Sequence, residues 1–270
     1  MLDTALDLAA AAIRQADALL IGAGAGMGVD SGLPDFRGSE GFWKAYPPFH
    51  GRSFAALSTP HWFRTDSQLA WGFFGHRYQL YRDTRPHAGF EILRQWCERR
   101  EHRYFVFTSN VDGHFQRAGF PEERVLERHG SIQHLQCTQP CASVIWPAGD
   151  ALHFEIDPAT IRTGSELPRC PHCHELARPN ILMFDDYDWL PARCEAQYQR
   201  YATWLEQVAG QQLVAIEFGA GLAIPTVRRE CERWCTTLIR VNPREAEVPT
   251  GGISLPLGAL EAIHEIDRRL

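Results

Sequence analysis

The stretch that most constrains the fold of this chain lies at residues 18–28. Its first four residues, 18–21, are apolar and predict a short buried strand. Glycine then occupies four alternate positions: Gly22, Gly24, Gly26 and Gly28. Glycine allows positive φ and lets a ligand approach main-chain N–H groups, so a strand that ends this way predicts a phosphate site. A glycine-rich β-to-α turn without a ligand is the other interpretation.

Short apolar runs alternate with helical patterns along the rest of the chain. Strand-like runs fall at residues 104–108, 125–127, 213–218 and 237–241. Helical spacing of apolar side chains marks residues 4–15, 60–85, 86–98, 225–235 and 257–268. This alternation predicts the α/β class, with a doubly wound, parallel, Rossmann-like sheet.

Two segments interrupt the alternation and predict a second, smaller domain. Residues 41–85 are rich in aromatic side chains and are expected to form its helical segment. Residues 135–177 contain two pairs of cysteines and are expected to form a zinc-binding module. The Rossmann-like domain is then assembled from residues 1–40, 86–134 and 178–270.

The composition indicates a globular protein without a nucleic-acid partner. Hydrophobic residues make up 44% of the 270 residues and charged residues 22%, which excludes disordered and fibrous classes. The net charge is −6 and no basic stripe is present; Arg228 and Arg229 are interpreted as a solvated helix face. The N-terminus carries Asp3 and Asp7 where a secretory signal carries positive charge, and no apolar run reaches the roughly 18 residues of a membrane span. We therefore expect a cytoplasmic location and no membrane contact.

Four of the eight cysteines predict a metal site. Cys137 and Cys141 form one pair, and Cys170 and Cys173 follow after a gap of 28 residues. Two such pairs fit a tetrahedral four-thiolate zinc site, in which the filled coordination sphere makes the metal structural. Three nearby histidines are rival ligands: His134, His172 and His174. Four unrelated thiols are the other interpretation.

The glycine loop lacks the fingerprint of ordinary dinucleotide-binding dehydrogenases. That fingerprint is G-x-G-x-x-G with an acidic residue about 20 positions later, at the end of the next strand. The place of the third glycine is taken by Met27, Val29 or Ser31, according to register, and no strand is predicted at the required distance. Ordinary hydride transfer is therefore disfavoured.

Motifs along nearly the whole chain resemble those of the sirtuins, the NAD-dependent protein deacylases, of bacterial type. The signature GAGxSxxSGIPDFRG matches residues 24–38, which read GAGMGVDSGLPDFRG, and TQNID matches TSNVD at residues 108–112. The catalytic His-Gly pair matches His129 and Gly130, and the zinc cysteines match in order. The later GTS motif matches residues 219–221.

The resemblance implies NAD as co-substrate, one structural zinc, and acyl-lysine proteins or peptides as substrates. In the implied reaction the acyl oxygen attacks C1′ of the nicotinamide ribose, nicotinamide leaves, and O-acyl-ADP-ribose is released. His129 would be the general base, since an imidazole with a pKa near neutrality suits that task. Asn110 and Asp112 would act with it by orienting the ribose and a water molecule. The implied cofactor-binding residues are Gly24, Ala25, Gly26, Asp35, Phe36, Arg37, Ser109, Asn110, Asp112, Gly219, Ala220, Gly221 and Asn242.

This chain departs from the family pattern at several positions. Gly28 and Gly221 replace hydroxyl side chains and Ser109 replaces a glutamine, which predicts weaker or rearranged NAD binding. The substrate-loop motif FGE is represented by Phe184, Asp185 and Asp186. Its additional acid predicts either disturbed pairing with a peptide strand or a preference for basic peptides.

One pair of residues bears on the acyl group. Sirtuins that remove acidic acyl groups carry Tyr-x-x-Arg in the helical segment, and the equivalent here is Phe74-x-x-Arg77. Arginine binds a carboxylate through two parallel hydrogen bonds, but the assisting phenol is missing. Arg77 is therefore either an acyl-carboxylate ligand or a surface residue.

Two other functions fit the same residues. A protein ADP-ribosyltransferase or an NAD hydrolase would use the same pocket and the same leaving group, although the retained His129 favours deacylation. A catalytically weak NAD sensor would account for the substitutions at Gly28 and Ser109. No feature of the sequence favours one acyl group, one protein substrate or one oligomeric state.

Overall fold

Two sheets organise the computed structural model, which describes residues 1–35, 46–51, 53–100 and 103–270. In chain order their strands are β1 (Ala18–Ala23), β2 (Tyr104–Thr108), β3 (Val125–Glu127), β4 (Gly130–Cys137), β5 (Ile145–Pro147), β6 (Ala177–Ile181), β7 (Leu213–Phe218), β8 (Thr237–Val241) and β9 (Ile253–Leu255). The larger sheet has the order β3-β2-β1-β7-β8-β9, and every pair in it is parallel. The smaller sheet, β5-β4-β6, is antiparallel.

Helices cover both faces of the larger sheet. In chain order the helices are α1 (Leu2–Gln15), α2 (Phe54–Leu57), α3 (His61–Thr65), α4 (Ser67–Asp83), α5 (Ala88–Glu98), α6 (His114–Arg117), α7 (Ala192–Gln207), α8 (Thr226–Trp234) and α9 (Ala259–Asp267). Short 3₁₀ helices span Ala25–Ser31, Pro47–Phe49 and Glu122–Arg124. None of the described helices has both the length and the apolar character needed to cross a membrane.

Strand β1 shows why the sheet is buried on both sides. Leu19 and Ile21 pack into a cluster with α1, α5 and α9, whereas Ala18 and Leu20 pack into a second cluster with α7 and α8. Alternate side chains of a strand point to opposite faces, so an uninterrupted apolar run requires a cover on each face. The predicted doubly wound parallel sheet is therefore confirmed.

The aromatic segment and the smaller sheet share a third core. Trp71, Phe73 and Phe74 on α4 belong to the same cluster as Leu135 on β4 and Ile181 on β6. The predicted helical segment is confirmed, but it is divided at Asp66, whose carboxylate caps α4 by accepting a hydrogen bond from the Leu69 N–H. The domain bounds stay predictions, and both the 134/135 and the 177/178 boundary fall inside strands, β4 and β6 respectively.

Candidate active site

The carboxyl ends of the parallel strands bring most of the predicted site residues to one edge of the larger sheet. The chain crosses to β2 and β3 on one side of β1 and to β7, β8 and β9 on the other, so β1 and β7 form the switch point. Ligands of open α/β sheets bind in the crevice at such a point. The loops after β1, β2, β7 and β8 carry every predicted cofactor residue within the described part of the chain; Phe36 and Arg37 lie outside the described residues.

The glycines after β1 are required by the neighbouring loop. A Cβ atom at Gly24 would lie 2.6 Å from Ala220 Cα, and one at Gly26 would lie 2.6 Å from Gly219 Cα. Gly26 N–H donates to the Gly219 carbonyl at 3.1 Å, and Gly219 itself adopts φ +57°. The two loops therefore form one continuous surface of backbone at the switch point, with Ala25 beside them. The sequence pattern attributed these glycines to the close approach of a ligand. The close contact between the loops after β1 and β7 is a second reason for glycine, which the sequence did not predict.

Asn110 connects the loop after β2 to the loop after β1. Its Nδ2 donates to the Gly24 carbonyl at 3.0 Å, and its backbone N–H donates to Thr108 Oγ1 at 3.0 Å. The Ser109 N–H donates to the Ala23 carbonyl at 3.0 Å. These bonds hold Ser109 and Asn110 directly beside the glycine loop.

Asp112 is buried, with 8% of its surface exposed. Its Oδ1 accepts a hydrogen bond from the His114 N–H at 2.9 Å, which fixes the carboxylate at the start of α6. The imidazole of His114 is buried as well, and desolvation lowers its pKa below the usual range. The hydrogen bond therefore ties Asp112 to a residue whose buried side chain is neutral at pH 7.

His129 lies between the two sheets, on the connection from β3 to β4. Burial lowers its pKa to about 4, the charge of Arg128 adds to the shift, and a hydrogen bond to the Ser109 backbone opposes it. The imidazole is accordingly neutral at pH 7. The next residue, Gly130, adopts φ +78°, and a Cβ atom there would lie 2.1 Å from the Asn180 carbonyl oxygen, so the main chain beside His129 requires glycine.

Asn242 has a role that the resemblance did not imply. It is completely buried, and its Nδ2 donates to the Ala220 carbonyl at 3.0 Å. Its Oδ1 accepts the N–H groups of Arg244 and Glu245, each at 3.0 Å. The amide thus links the loops after β7 and β8, and the expected contact with ribose stays a prediction. Arg244 in turn forms an ion pair with Asp35.

The interpretation of Arg228 as part of a solvated helix face is wrong. Arg228 is only 4% exposed and its Nε donates to the Ala220 carbonyl at 3.1 Å, whereas Arg229 is exposed. Next to Arg228, Glu217 on β7 and Arg240 on β8 form a buried bidentate ion pair, with hydrogen bonds of 2.8 and 2.9 Å. A charge within each of these apolar strands is the sequence signal that could have revealed the pair.

The four predicted zinc cysteines converge. Their Sγ atoms all lie within 4.8 Å of one another. The two Sγ atoms are 3.6 Å apart in the pair Cys137–Cys173 and also in the pair Cys141–Cys170. Tetrahedral zinc with Zn–S bonds of about 2.3 Å separates its thiolates by about 3.8 Å, so the arrangement fits Zn²⁺. Within the described ranges, no histidine belongs to this group, which sets aside the rival ligands His134, His172 and His174.

Arg77 is buried, so its interpretation as a surface residue is wrong. It is 5% exposed, and its guanidinium carbon lies 5.3 to 5.6 Å from the ring centres of four aromatic residues. These residues are Phe54, Phe73, Phe74 and Tyr81. The charge is therefore surrounded by ring faces, which attract cations.

The two acids of the substrate loop differ in their surroundings. Asp186 forms a bidentate ion pair with Arg178, both bonds 2.8 Å long, and both side chains are at most 1% exposed. Asp185 is exposed and adopts φ +54°, a left-handed conformation. The charge of Asp186 is thus neutralised by Arg178 inside the protein. Of these two acids, only Asp185 presents its charge to the surface.

The chain is similar to curated proteins named as NAD-dependent protein deacylases. Among curated proteins, the chain is 31% identical over 177 residues to NAD-dependent protein deacylase 2 of Pseudomonas aeruginosa, covering 66% of this chain and 64% of that protein. It is 28% identical over 228 residues to the NAD-dependent protein deacylase of Aquifex aeolicus, covering 83% of each. The chain therefore spans slightly less than two thirds of the length of the Pseudomonas relative.

Solved structures show the same fold. A Sir2 homolog–NAD complex has a TM-score of 0.71 at 22% identity, over 97% of this chain and 92% of that one. A mutant Sir2 homologue in complex with ADP-ribose has a TM-score of 0.72 at 22% identity, over 97% and 95%. The model of the Sir2 family matches residues 24–203, more than half of the sequence. The chain belongs to the Sir2 family.

Proposed function

We propose that this protein removes acyl groups from protein lysines in an NAD-dependent reaction that gives nicotinamide and O-acyl-ADP-ribose. The observation that carries the proposal is the placement of His129, a neutral imidazole beside Ser109 at the edge where the glycine loops meet. A neutral imidazole in a crevice suits a general base. Membership of the Sir2 family and the names of the two relatives support the same activity.

In this proposal His129 accepts a proton from a ribose hydroxyl group. We assign the N–H group of the ring to the nitrogen that faces the Ser109 backbone, so the other nitrogen offers the lone pair that accepts the proton. Asn110 and Asp112 orient the ribose and a water molecule. Both are suited to this because the Gly24 carbonyl and the His114 N–H hold them in fixed orientations.

The loops at the switch point fit a dinucleotide. The N–H groups of Gly24, Gly26 and Gly219 donate to carbonyl groups of the fold, so the backbone donors offered to phosphate oxygens are those of Ala25 on one side and of Ala220 and Gly221 on the other. NAD, when bound, supplies the ribose carbon that receives the acyl oxygen and the nicotinamide that leaves. We infer that Ser109, Asn242 and Asp35, with Phe36 and Arg37, complete the cofactor site.

A structural Zn²⁺ held by the four thiolates would join the end of β4 to the turn at residues 170–173. Its four protein ligands leave no open position for catalysis. The described cysteines outside this group are also free thiols, which fits the reducing cytoplasm where we place the protein.

We further propose that Arg77 binds the carboxylate of acidic acyl groups. Its charge is buried among aromatic rings, where water competes little for hydrogen bonds with a bound carboxylate. A comparison of succinyl-lysine and acetyl-lysine peptides in the wild type and in Arg77→Met tests this role. An unchanged preference between the two peptides would contradict it.

A single incubation tests the activity. The protein is mixed with NAD and a panel of acyl-lysine peptides, and the products are read by mass spectrometry. Nicotinamide with O-acyl-ADP-ribose is the expected result. ADP-ribosylated protein or free ADP-ribose without O-acyl-ADP-ribose would identify a transferase or an NAD hydrolase. Background release of nicotinamide by both wild type and His129→Ala would identify a sensor.

A further inference from the structure

Arg228 on α8 lies behind the loop that follows β7. Its Nε donates to the Ala220 carbonyl at 3.1 Å and its Nη2 donates to the Glu245 carbonyl. The Nε also lies 3.9 Å from the carboxylate of Glu217, which is bound by Arg240. This one buried guanidinium therefore connects α8 with the loops after β7 and β8.

The Ala220 carbonyl has a second donor. Asn242 Nδ2 reaches the same oxygen at 3.0 Å, and the Oδ1 of that amide is bound by two N–H groups of its own loop. Two donors from different elements, Arg228 and Asn242, thus converge on one acceptor. Such a convergence fixes the orientation of the peptide group between Ala220 and Gly221.

The orientation of this peptide determines the direction of the Gly221 N–H. No peptide bond in the described structure is cis, and in a trans peptide the C=O and N–H groups point in opposite directions. Because the carbonyl faces Arg228 and Asn242, the Gly221 N–H is directed away from both. Gly221 is half-buried, and no acceptor within the described ranges takes this N–H.

The loop depends on such backbone donors. Gly219, Ala220 and Gly221 have no side-chain donor, and the Gly219 N–H already donates to the Val241 carbonyl at 2.9 Å. The donors that this stretch offers to a ligand are therefore the N–H groups of Ala220 and Gly221. A backbone donor held in one direction loses little entropy when it meets an oxygen of a ligand.

We propose that Arg228 is a positioning residue for the nucleotide. Together with Asn242 it holds the Ala220 carbonyl, so that the Gly221 N–H serves as a fixed donor to an oxygen of the dinucleotide at the switch point. This inference rests on the proposed use of NAD. Arg228 does not touch the nucleotide, and it acts through the peptide that it orients.

Two substitutions at this position, with a neighbouring control, test the proposal. Arg228→Gln removes the guanidinium, whereas Arg228→Lys keeps a charge near Glu217 but cannot reach both carbonyls. Arg229→Gln is the matched control, because Arg229 is the next residue on α8 and is exposed. NAD affinity is measured by calorimetry on the full chain with its zinc, Tm by circular dichroism, and KM and kcat with an acyl-lysine peptide.

We expect each Arg228 variant to raise the Kd and the KM for NAD by about tenfold, the effect of losing one buried hydrogen bond to a charged donor. The kcat at saturating NAD and the KM for the peptide should change by less than about twofold, and Arg229→Gln should match the wild type. A merely structural role would lower Tm and leave the Kd of the folded protein unchanged.

Each outcome separates the two proposals. If the wild type binds NAD and Arg228→Lys binds it with the same Kd as the wild type, the positioning role is overturned and the proposed function stands. Absence of NAD binding by the wild type would overturn both. A weaker Kd in both Arg228 variants, with a normal Arg229→Gln, supports the positioning role.

Discussion

The phenol oxygen of Tyr81 accepts hydrogen bonds from Nε and Nη2 of Arg77, at 3.2 and 3.1 Å. The two residues are one turn apart on α4, so a single helix holds the guanidinium and its partner. Burial raises the pKa of Tyr81, and the charge and hydrogen bonds of Arg77 oppose this rise. The Tyr81 carbonyl accepts a hydrogen bond from Arg117 on α6 at 2.6 Å, so this turn of α4 is joined to the helix that follows the loop with the candidate catalytic residues.

Tyr81→Phe should therefore weaken the preference for acidic acyl groups without abolishing activity. The phenol fixes the guanidinium, and its loss should reduce kcat/KM for a succinyl-lysine peptide by about five- to tenfold. Hydrolysis of an acetyl-lysine peptide is the internal control and should stay within about twofold. Equal losses on both peptides would show that Tyr81 supports the fold rather than the acyl preference.

The pH dependence of activity should reveal the environment of His129. Because the pKa of His129 is about 4, the base stays neutral on acidification, and kcat/KM should fall only as the pH approaches this value. Arg128→Gln removes a positive charge that lowers this pKa and should move the acid limb upward. An acid limb of the wild type near the ordinary histidine value of about 6.5 would contradict the assignment.

The same shift has a consequence for stability, with a definite sign. An unfolded His129 titrates near its ordinary pKa of about 6.5, so between that pH and about 4 the unfolded chain binds the extra proton. The free energy of unfolding contributed by His129 is therefore constant above this window and decreases as the pH falls through it. Urea unfolding of the wild type and His129→Gln at several pH values should show a shallower decrease in the variant.

Zinc removal should destabilise the smaller sheet. Cys173→Ser removes one of four thiolates, and we expect loss of bound zinc and a Tm lowered by several degrees, because such metal sites stabilise the fold directly. Cys235→Ser lies outside the cluster and should keep one zinc per chain by elemental analysis. Full zinc retention in Cys173→Ser would show that the metal site is assigned incorrectly.

Substitutions of the two adjacent acids in the substrate loop should change the free energy of unfolding in opposite directions. Asp186→Asn breaks a buried pair and leaves the charge of Arg178 uncompensated, which should cost about 3 kcal/mol of unfolding free energy. Asp185→Gly relieves a left-handed conformation and should stabilise by about 0.5 to 1 kcal/mol. Chemical denaturation measures both, and a stabilising Asp186→Asn or a destabilising Asp185→Gly would refute the respective assignment.

Features local to one element could be predicted from the sequence. The apolar runs placed β1, β2, β3, β7 and β8 with nearly correct bounds, because a strand covered on both faces must be apolar throughout. The cysteine spacing identified the metal cluster for a similar reason, since ligands at short spacing share one turn. The strands β4, β5, β6 and β9 and the helix α7 were not predicted.

Features that depend on pairing between distant elements could not be predicted. Glu217 and Arg240 are 23 residues apart in sequence and meet only because β7 and β8 are neighbours in the sheet. Arg228 is indistinguishable from Arg229 in the sequence, and the packing of α8 alone decides which of them is buried. The role of Asn242 in joining two loops likewise requires knowledge of where both loops end.

The glycine at position 130 has an implication for how substrate range can change in this protein. The peptide bond between His129 and Gly130 lies in the short connection that joins β3 of the larger sheet to β4 of the smaller one. A substitution that repacks β4 against β6 should displace the main chain next to His129, the proposed base, without any intervening side-chain contact. Under the proposed function, we therefore expect variants selected for a different acyl group or peptide through this sheet to alter turnover together with recognition.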